Sequence, residues 1–417
     1  MTSLALRAKQ CLSNVLSHAT ELVVSHGDGV YLVDERGQRY LDLGAGIAVN
    51  STGHCHPHVV AAIQDQATRL LHACAGVVYY EQNIKLAERL CDISGLESVF
   101  FTQSGTEAVE AALKCALHVT KKQQLVAFKG SFHGRTLGAL SVTTSNAMYT
   151  KGYPLAIPHP ILLEYPNFTQ NPAPMNTLSG YLTYLESALE TVDASTVAAV
   201  IMEPFLGEGG YIPAPPCVLR MLRDWCNQTG VLLIFDEIQS GIGRTGTWFY
   251  YQDANVMPDI LTSAKGIASG LPLGACVSTH DIMNQWTTGS HGGTYSGNPL
   301  TCAAGIATLD VIQDQLAHVR DVGAWSLDYL NQHLRDCACV RDIRGKGLMI
   351  GIEIVCPDGQ PNPDGLSAVR RMCFDQHVLV LGCGQNRNVL RLMPPLTATK
   401  SDLKSGWDVI IDACQRV

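Results

Sequence analysis

The chain has 417 residues, of which 46% are hydrophobic and only 16% are charged. A chain of this length allows about two or three domains and buries roughly three quarters of the surface that its unfolded form exposes. The low charged fraction is typical of much buried or subunit-facing surface, and it favours an obligate oligomer. The formal net charge of -8 provides no basic stripe, so we expect no nucleic-acid partner.

The N-terminal segment and the apolar runs indicate where in the cell the protein is located. No apolar run approaches the ~18 residues that span a bilayer, and the N-terminus lacks the apolar core of a secretory signal. The first twenty residues contain Arg7 and Lys9 but no acid, which is also a feature of mitochondrial presequences. A leading helix up to about residue 18 explains this pattern equally well. We therefore predict a cytoplasmic protein that does not contact membranes.

The 15 cysteines are scattered through apolar segments, as small buried hydrophobes are in a reducing compartment. Cys337 and Cys339 have no second pair at zinc spacing, so a metal site there is not expected.

The middle of the chain alternates aliphatic runs with helical stretches. The runs are short and closed by polar or glycine residues, as in strands buried on both faces of a parallel sheet. They span residues 98–103, 125–128, 161–164, 198–202, 231–235, 260–263 and 274–278. Ahead of them we predict a hairpin of strands 29–33 and 38–42, and after them a long helix from about 300 to 334 and a strand over 345–353. The sequence therefore predicts an α/β fold with a largely parallel sheet.

We expect two domains. The large one spans residues 51–300, and residues 1–50 and 301–417, from both ends of the chain, build a smaller α/β domain.

An acid and a lysine end two of the predicted strands. Asp236 follows the run 231–235, and Lys265 follows the run 260–263. Because the carboxyl ends of parallel strands carry ligands at one edge of a sheet, we expect these side chains to meet there. On these two residues alone, a structural ion pair is the simpler interpretation.

Two further motifs follow predicted strands. Ser104-Gly105-Thr106 opens a helix, where unpaired amides and the helix dipole favour an anion such as phosphate, although serine also caps helices without any ligand. In the segment from Phe132 to Thr136, the aromatic ring suits stacking on a flat cofactor and Arg135 suits binding of a carboxylate. Core packing of Phe132 and internal pairing of Arg135 are the alternatives.

Three further motifs follow in the chain: Glu203-Pro204, the glycine-flanked Glu208 and Gly293-Thr294-Tyr295. In type and order, all these motifs together resemble those of the class III, or omega, aminotransferases, which belong to the fold-type I pyridoxal-phosphate enzymes. The resemblance runs from about residue 29 to 395. It implies a mostly parallel seven-stranded sheet between helices, pyridoxal 5'-phosphate as cofactor, and a homodimer or dimer of dimers with sites at the subunit interface. It also places the run from His54 to His58 in a turn without metal, so we predict no metal.

The resemblance implies roles in cofactor binding. Lys265 forms the covalent link to the cofactor and moves the proton, and Asp236 accepts a hydrogen bond from the pyridine nitrogen. The other implied contacts are Ser104, Gly105 and Thr106 with the phosphate, Phe132 and Ile238 with the two ring faces, Gln239 with the phenolic oxygen, His133 with Asp236, and Thr294 with the phosphate of the neighbouring subunit.

It also implies roles in substrate binding. Ile47 and Val78 line the channel, although core packing explains Ile47 equally well, and Arg135 holds the carboxylate distant from the reacting amine. Glu208 pairs with Arg391 until a second carboxylate displaces it, since an arginine without a partner in a dry pocket costs several kcal/mol. The alternative for Glu208 and Arg391 is a permanent salt bridge.

The predicted function is transfer of the terminal amino group of an omega-amino acid, such as 4-aminobutyrate, to 2-oxoglutarate, giving an aldehyde and glutamate. An acetylornithine or ornithine aminotransferase is the near alternative. A pyridoxal-phosphate-dependent racemase or aminomutase is the alternative of another class.

Overall fold

A computed structural model describes residues 4–157 and 159–417. The helices, in chain order, are α1 (Leu4–Cys11), α2 (Ala45–Ala48), α3 (Pro57–Arg69), α4 (Glu81–Ser94), α5 (Gly105–Thr120), α6 (Leu137–Val142), α7 (Ala147–Thr150), α8 (Leu178–Glu190), α9 (Pro216–Thr229), α10 (Tyr251–Ala254), α11 (His280–Gln285), α12 (Pro299–Leu334), α13 (Pro363–Asp375) and α14 (Lys400–Gln415). The strands are β1 (Val24–Asp28), β2 (Tyr31–Asp34), β3 (Arg39–Asp42), β4 (Ser98–Thr102), β5 (Gln124–Phe128), β6 (Ile161–Leu163), β7 (Val197–Met202), β8 (Phe205–Leu206), β9 (Ile212–Pro213), β10 (Leu232–Asp236), β11 (Ile260–Ser263), β12 (Gly274–Ser278), β13 (Val340–Lys346), β14 (Met349–Ile354), β15 (Val378–Leu379), β16 (Leu381–Cys383) and β17 (Val389–Leu392).

The seven predicted strands of the middle segment form one sheet, in the order β4-β12-β11-β10-β7-β5-β6. Their predicted and observed ends agree within one residue. Strands β6, β5, β7, β10 and β11 pair in parallel, whereas β12 runs antiparallel to both β11 and β4. Apolar clusters cover both faces of this sheet. These features confirm the predicted fold class.

Two smaller sheets come from the ends of the chain. One has the order β1-β2-β3-β15 and the other β13-β14-β17-β16. They share a second apolar core that includes Leu43, Leu390 and Trp407. The 36-residue helix α12 packs against α3 and α4 of the first core and against β13 and α14 of the second. A division into domains at residues 50 and 300 stays a prediction.

Two local predictions need correction, and one strand was missed. Residues 345–353 are not one strand but a hairpin, because β13 and β14 pair antiparallel around Gly347, whose φ is 57°. A side chain there would lie 2.7 Å from the carbonyl oxygen of Arg244, so the turn requires glycine. The leading helix ends at Cys11 rather than near residue 18, and residues 1–3 of the chain lie outside the described residues. Strand β1 was not predicted.

The run from His54 to His58 has structural partners. His54 Nε2 lies 2.9 Å from Asp42 Oδ2, and the His56 side chain caps α3 by accepting from the backbone N–H of His58. Within residues 4–157 and 159–417, no three His, Cys, Asp or Glu side chains group closely enough to hold a metal ion. The helices described there include none that is long and apolar enough to cross a membrane.

Candidate active site

Asp236 lies at the carboxyl end of β10 and is buried. Its Oδ2 is 2.7 Å from Nδ1 of His133, and its Oδ1 accepts from the Thr262 hydroxyl and from the backbone N–H of Ile238, both at 3.1 Å. Hydrogen-bonding partners therefore surround the carboxylate and fix its orientation. The predicted contact between His133 and Asp236 is present. Nε2 of His133 is buried without a hydrogen-bond partner in the described part of the chain.

Lys265 follows β11, which pairs in parallel with β10 and so brings the two strand ends to one edge. Its backbone is left-handed, with φ of 48°. Burial lowers the pKa of its amine, and the carboxylates of Asp236 and Glu203 oppose that shift. The described contacts of the Asp236 carboxylate include His133 and no salt bridge to Lys265. This geometry disfavours a structural ion pair between Asp236 and Lys265 and leaves a lysine whose neutral form is accessible for nucleophilic chemistry.

Three loops converge on the N-terminus of α5. Ser104 caps the helix, accepting from the backbone N–H of Glu107 at 3.4 Å, and the hydroxyls of Thr106 and Thr136 are 2.8 Å apart. A side chain on Gly105 would lie 3.0 Å from Ile238. First-turn amides have no acceptor within a helix, so a helix of 16 residues presents unpaired N–H groups and a partial positive charge here. This arrangement suits a phosphate, whose binding by Ser104, Gly105 and Thr106 stays a prediction.

Glu203 joins two loops of the site. Its carboxylate accepts from the backbone N–H of Phe132 at 2.8 Å through one oxygen and from that of Gly207 at 2.9 Å through the other. Burial raises the pKa of Glu203, and Asp236 adds to this effect while His133 opposes it. In the sequence-based prediction Glu203 belongs to a motif and has no role of its own. Its position directly after the buried strand β7 was the available signal.

Four side chains form a continuous chain of contacts: Arg135, Tyr149, Glu208 and Arg391. Arg391 Nη1 lies 2.9 Å from Glu208 Oε2, and the Tyr149 hydroxyl donates to Glu208 Oε1 at 3.2 Å. The guanidinium of Arg135 lies over the Tyr149 ring, 4.5 Å from its centroid. The Phe132 ring meets that of Tyr149 edge-on at 5.6 Å. The structure thus brings Arg135 and the pair of Glu208 and Arg391 together through Tyr149, which the sequence reasoning missed.

Arg391 has donor capacity left over. It lies on β17, is 7% exposed, and its Nε is buried without a hydrogen-bond partner among the described residues. A guanidinium binds a carboxylate through two N–H groups when both are available. Arg391 therefore retains a donor for a second acceptor beside Glu208.

Gln239 and Ile238 follow Asp236 in the same turn. Gln239 Oε1 accepts from the Tyr211 hydroxyl at 2.7 Å. Gln239 Nε2 would lie 2.9 Å from a Cβ atom if residue 207 were not glycine. Ile238 packs against Gly105, as noted above. Both side chains lie between the Asp236 strand and the surrounding loops, and their contacts with cofactor stay predictions.

Ile47, Val78 and Thr294 lie at the surface of the single chain. Ile47 is 44% exposed in α2, a turn that packs against the short 3-10 helix Lys265–Ala268. Its φ of 65° is unusual for a β-branched residue, and such strain is concentrated at functional sites. The exposure of Ile47 disfavours ordinary core packing.

The comparisons with known proteins agree with this geometry. The model of the class III aminotransferases matches residues 12–414, so the chain belongs to that family. An acetylornithine aminotransferase of Methanosarcina mazei is 40% identical over 395 residues, which cover 94% of this chain and 91% of that protein. An alanine/serine racemase of Pyrococcus horikoshii is 34% identical over 402 residues, covering 93% and 85%. The solved ornithine aminotransferase of Toxoplasma gondii, which contains pyridoxal phosphate at partial occupancy, has a TM-score of 0.87 at 28% identity, covering 99% and 94%.

The protein is therefore an enzyme that transfers amino groups with pyridoxal 5'-phosphate as cofactor. The residues present fit this group: Lys265 offers an amine, Asp236 a buried carboxylate, and α5 an N-terminus with unpaired amides. When bound, the cofactor supplies an aldehyde that reacts with amines and a ring that accepts electrons.

Proposed function

We propose that the enzyme transfers the terminal amino group of N-acetylornithine or ornithine to 2-oxoglutarate, giving the semialdehyde and glutamate. The observation that carries this proposal is the chain from Arg135 through Tyr149 and Glu208 to Arg391, which places two arginines at one site. The names of the relatives favour acetylornithine over 4-aminobutyrate as the donor. The names of these relatives therefore support an acetylornithine or ornithine aminotransferase, which was the alternative predicted from the sequence, better than a 4-aminobutyrate aminotransferase, which was the main prediction.

In this proposal each side chain has one task. Arg135 is exposed and binds the carboxylate of the donor far from its reacting amine. Lys265 accepts the proton from the substrate carbon that carries the amino group and would deliver it to the cofactor carbon, as amino transfer requires. Asp236, held by His133 and Thr262, would accept a hydrogen bond from the ring nitrogen of the cofactor and favour its protonated form.

Glu208 selects between the two substrates. With an omega-amino donor bound, it stays on Arg391 and keeps that buried cation paired. When 2-oxoglutarate or glutamate enters, the substrate carboxylate takes the place of Glu208. One site thus accepts two substrates of different charge without leaving Arg391 unpaired.

A racemase is the second candidate, because a relative at 34% identity has that name. A racemase returns the proton to the same carbon, leaves the amino group in place and needs no 2-oxo acid. The pair of Glu208 and Arg391 favours transamination, since it provides for an exchange of carboxylates.

The donor is tested with cofactor-loaded protein and no acceptor. We expect N-acetylornithine or ornithine to convert the yellow cofactor to its colourless aminated form faster than 4-aminobutyrate or alanine, and 2-oxoglutarate to restore the colour. Faster conversion by 4-aminobutyrate would contradict the donor proposed. No conversion by any amine, together with loss of optical activity in alanine or serine, would indicate the racemase.

Tyr149→Phe is expected to weaken 2-oxoglutarate binding selectively. Once Glu208 leaves Arg391, the Tyr149 hydroxyl is the partner it retains from its present contacts. A hydrogen bond to a charged group contributes about 1.5–3 kcal/mol when buried, and Glu208 is half-buried, so we expect a KM increase of roughly 3- to 10-fold for 2-oxoglutarate. The KM of the donor should stay within about twofold, because phenylalanine preserves the ring under Arg135. Steady-state kinetics with each substrate varied measure both.

Tyr153→Phe is the matched control, because Tyr153 is an exposed tyrosine of the same segment. It should change neither KM. Tyr149→Leu, which also removes the ring under Arg135, should raise the donor KM as well. Equal changes in both KM values for Tyr149→Phe would disprove the selective role of the hydroxyl.

We also propose that the enzyme is a homodimer with its sites at the subunit interface. Val77, Tyr79 and Tyr295 are 77%, 93% and 62% exposed. The segments that carry them are in contact, since the rings of His72 and Tyr295 are 5.0 Å apart and the Tyr80 hydroxyl donates to the carbonyl oxygen of Gly297. Large apolar groups exposed side by side are typical of a protein interface. Val78 and Thr294 lie in these segments, where a second subunit would bring them to its site.

Light scattering of the cofactor-loaded protein should give twice the chain mass of 45.0 kDa, or four times that mass for a dimer of dimers. The double variant Val77→Ser, Tyr79→Ser should shift the mass towards one chain. Val15→Ser, at another exposed valine, should leave it unchanged. A wild-type mass of one chain at micromolar concentration would rule out the dimer.

A further inference from the structure

Two thiols face each other in the turn between α12 and β13. The Sγ atoms of Cys337 and Cys339 are 3.5 Å apart. The backbone N–H of Val340 donates to the carbonyl oxygen of Cys337 at 2.9 Å, which closes the turn around both residues. Both thiols also approach the carbonyl oxygen of Cys414 near the end of α14, at 3.6 and 3.1 Å. The fold therefore holds this pair in a defined geometry.

Other buried cysteines differ from Cys339 in their thiol pKa values. Cys115 and Cys302 lie in apolar clusters, and burial raises their thiol pKa values to about 11 and about 12. For Cys339 the direction is opposite, since its hydrogen-bonding contacts with Cys414 and Cys337 lower its pKa against the effect of burial, whereas burial raises the pKa of Cys337. A lowered pKa makes Cys339 available as the thiolate that resolves a mixed disulfide.

We propose that Cys337 and Cys339 are a redox-active dithiol, which small disulfides such as oxidised glutathione convert to an intrachain disulfide. One thiolate attacks a sulfur of the small disulfide and releases one thiol, giving a mixed disulfide. The second cysteine then displaces the other half as a second thiol. The two protein thiols lose two electrons and two protons in total, and the small disulfide gains them.

The geometry allows this bond with small movements. A disulfide needs its sulfurs about 2.05 Å apart and its Cα atoms within roughly 7 Å. Cys337 and Cys339 are the first and third residues of a closed turn. Such a turn keeps even the Cα atoms of its first and fourth residues within roughly 7 Å, so the two cysteines lie close enough for a disulfide. The sulfurs must approach by only about 1.5 Å from their separation of 3.5 Å, which side-chain rotation can provide.

Access decides the order of attack. Cys337 is half-buried and its neighbours Asp336 and Ala338 are exposed, whereas Cys339 is 6% exposed. A small disulfide therefore reaches Cys337 first, and Cys339 resolves the mixed disulfide. This site does not depend on the proposed amino donor or acceptor.

The test uses the cofactor-loaded full chain, incubated at several ratios of reduced to oxidised glutathione, alkylated and cleaved with trypsin. Cleavage after Arg335 and Arg341 leaves both cysteines in one peptide of residues 336–341. We expect this peptide to become two hydrogens lighter, without alkyl groups or glutathione, and dithiothreitol to reverse the change. Two alkyl groups at every ratio, a glutathione on each cysteine, or a cross-link to Cys414 in the peptide 405–416 would each overturn the proposal.

Two variants separate the steps. In Cys339→Ser, Cys337 should accumulate one glutathione, because nothing resolves the mixed disulfide. In Cys337→Ser, residue 339 should react at least tenfold more slowly than Cys337 does in the first variant. Cys55, an exposed single cysteine, is the internal control and should carry only glutathione. Equal glutathione labelling of residues 337 and 339 in the two variants would contradict the assigned order.

Discussion

Lys265→Ala should abolish turnover while the protein still binds its cofactor. General acid–base catalysis alone contributes about 10²–10⁴-fold, and the covalent link is lost as well, so we expect kcat to fall by at least ~10⁴-fold. Alanine adopts the left-handed backbone of this position no less readily than lysine does, and Asp236 keeps its partner His133. The fold should therefore survive. Single-turnover kinetics and retention of cofactor through gel filtration measure the two effects.

Lys404→Ala, at an exposed lysine of α14 paired with Asp408, is the control and should keep full activity. A small primary amine added to Lys265→Ala should restore part of the proton transfer, because it supplies the missing base. Activity near that of wild type in Lys265→Ala without added amine would show that another residue carries the chemistry.

Arg391→Ala should disable the half-reaction with glutamate or 2-oxoglutarate far more than the half-reaction with the omega-amino donor. Removing one partner of a buried, hydrogen-bonded charge pair costs on the order of 2–5 kcal/mol, which corresponds to a loss of about 30-fold or more in kcat/KM. Donor binding keeps Glu208 in place before and after the change, so its kcat/KM should fall by less than about threefold. Stopped-flow measurement of each half-reaction gives both values.

Arg387→Ala is a control, because this arginine of the preceding loop is exposed. It should affect neither half-reaction. Equal losses of both half-reactions in Arg391→Ala would refute the exchange of carboxylates at Glu208 and leave a permanent salt bridge as the better account.

The main sheet could be predicted because burial on both faces leaves a plain pattern of short aliphatic runs. The direction of β12 could not, since a buried run looks the same whichever way it points. Strand β1 was missed because its residues are mostly exposed and contain a glycine and an aspartate. The hairpin at Gly347 was missed because its turn is set by packing against Arg244 and Thr245, which are distant in sequence.

The site, like the fold, could be predicted only in part from the sequence. Asp236 and Lys265 were predictable from strand ends, and the pairing of Glu208 with Arg391 from the family resemblance. Tyr149 was not, because it lies in a short helix of a surface segment without any periodic pattern. Its partners at residues 135 and 208 come close only in the folded chain. Contacts of this kind carry no local signal in the sequence.

The chain from Arg135 through Tyr149 and Glu208 to Arg391 has a consequence for evolution and engineering. Residues that share partners show coupling energies of about 0.5–3 kcal/mol, so their mutational effects do not add. A change at either arginine alters the background in which the other is selected. Substrate range in this enzyme should therefore be epistatic: new donors are reached by paired substitutions at both ends of the chain, and libraries that vary one position at a time will miss them.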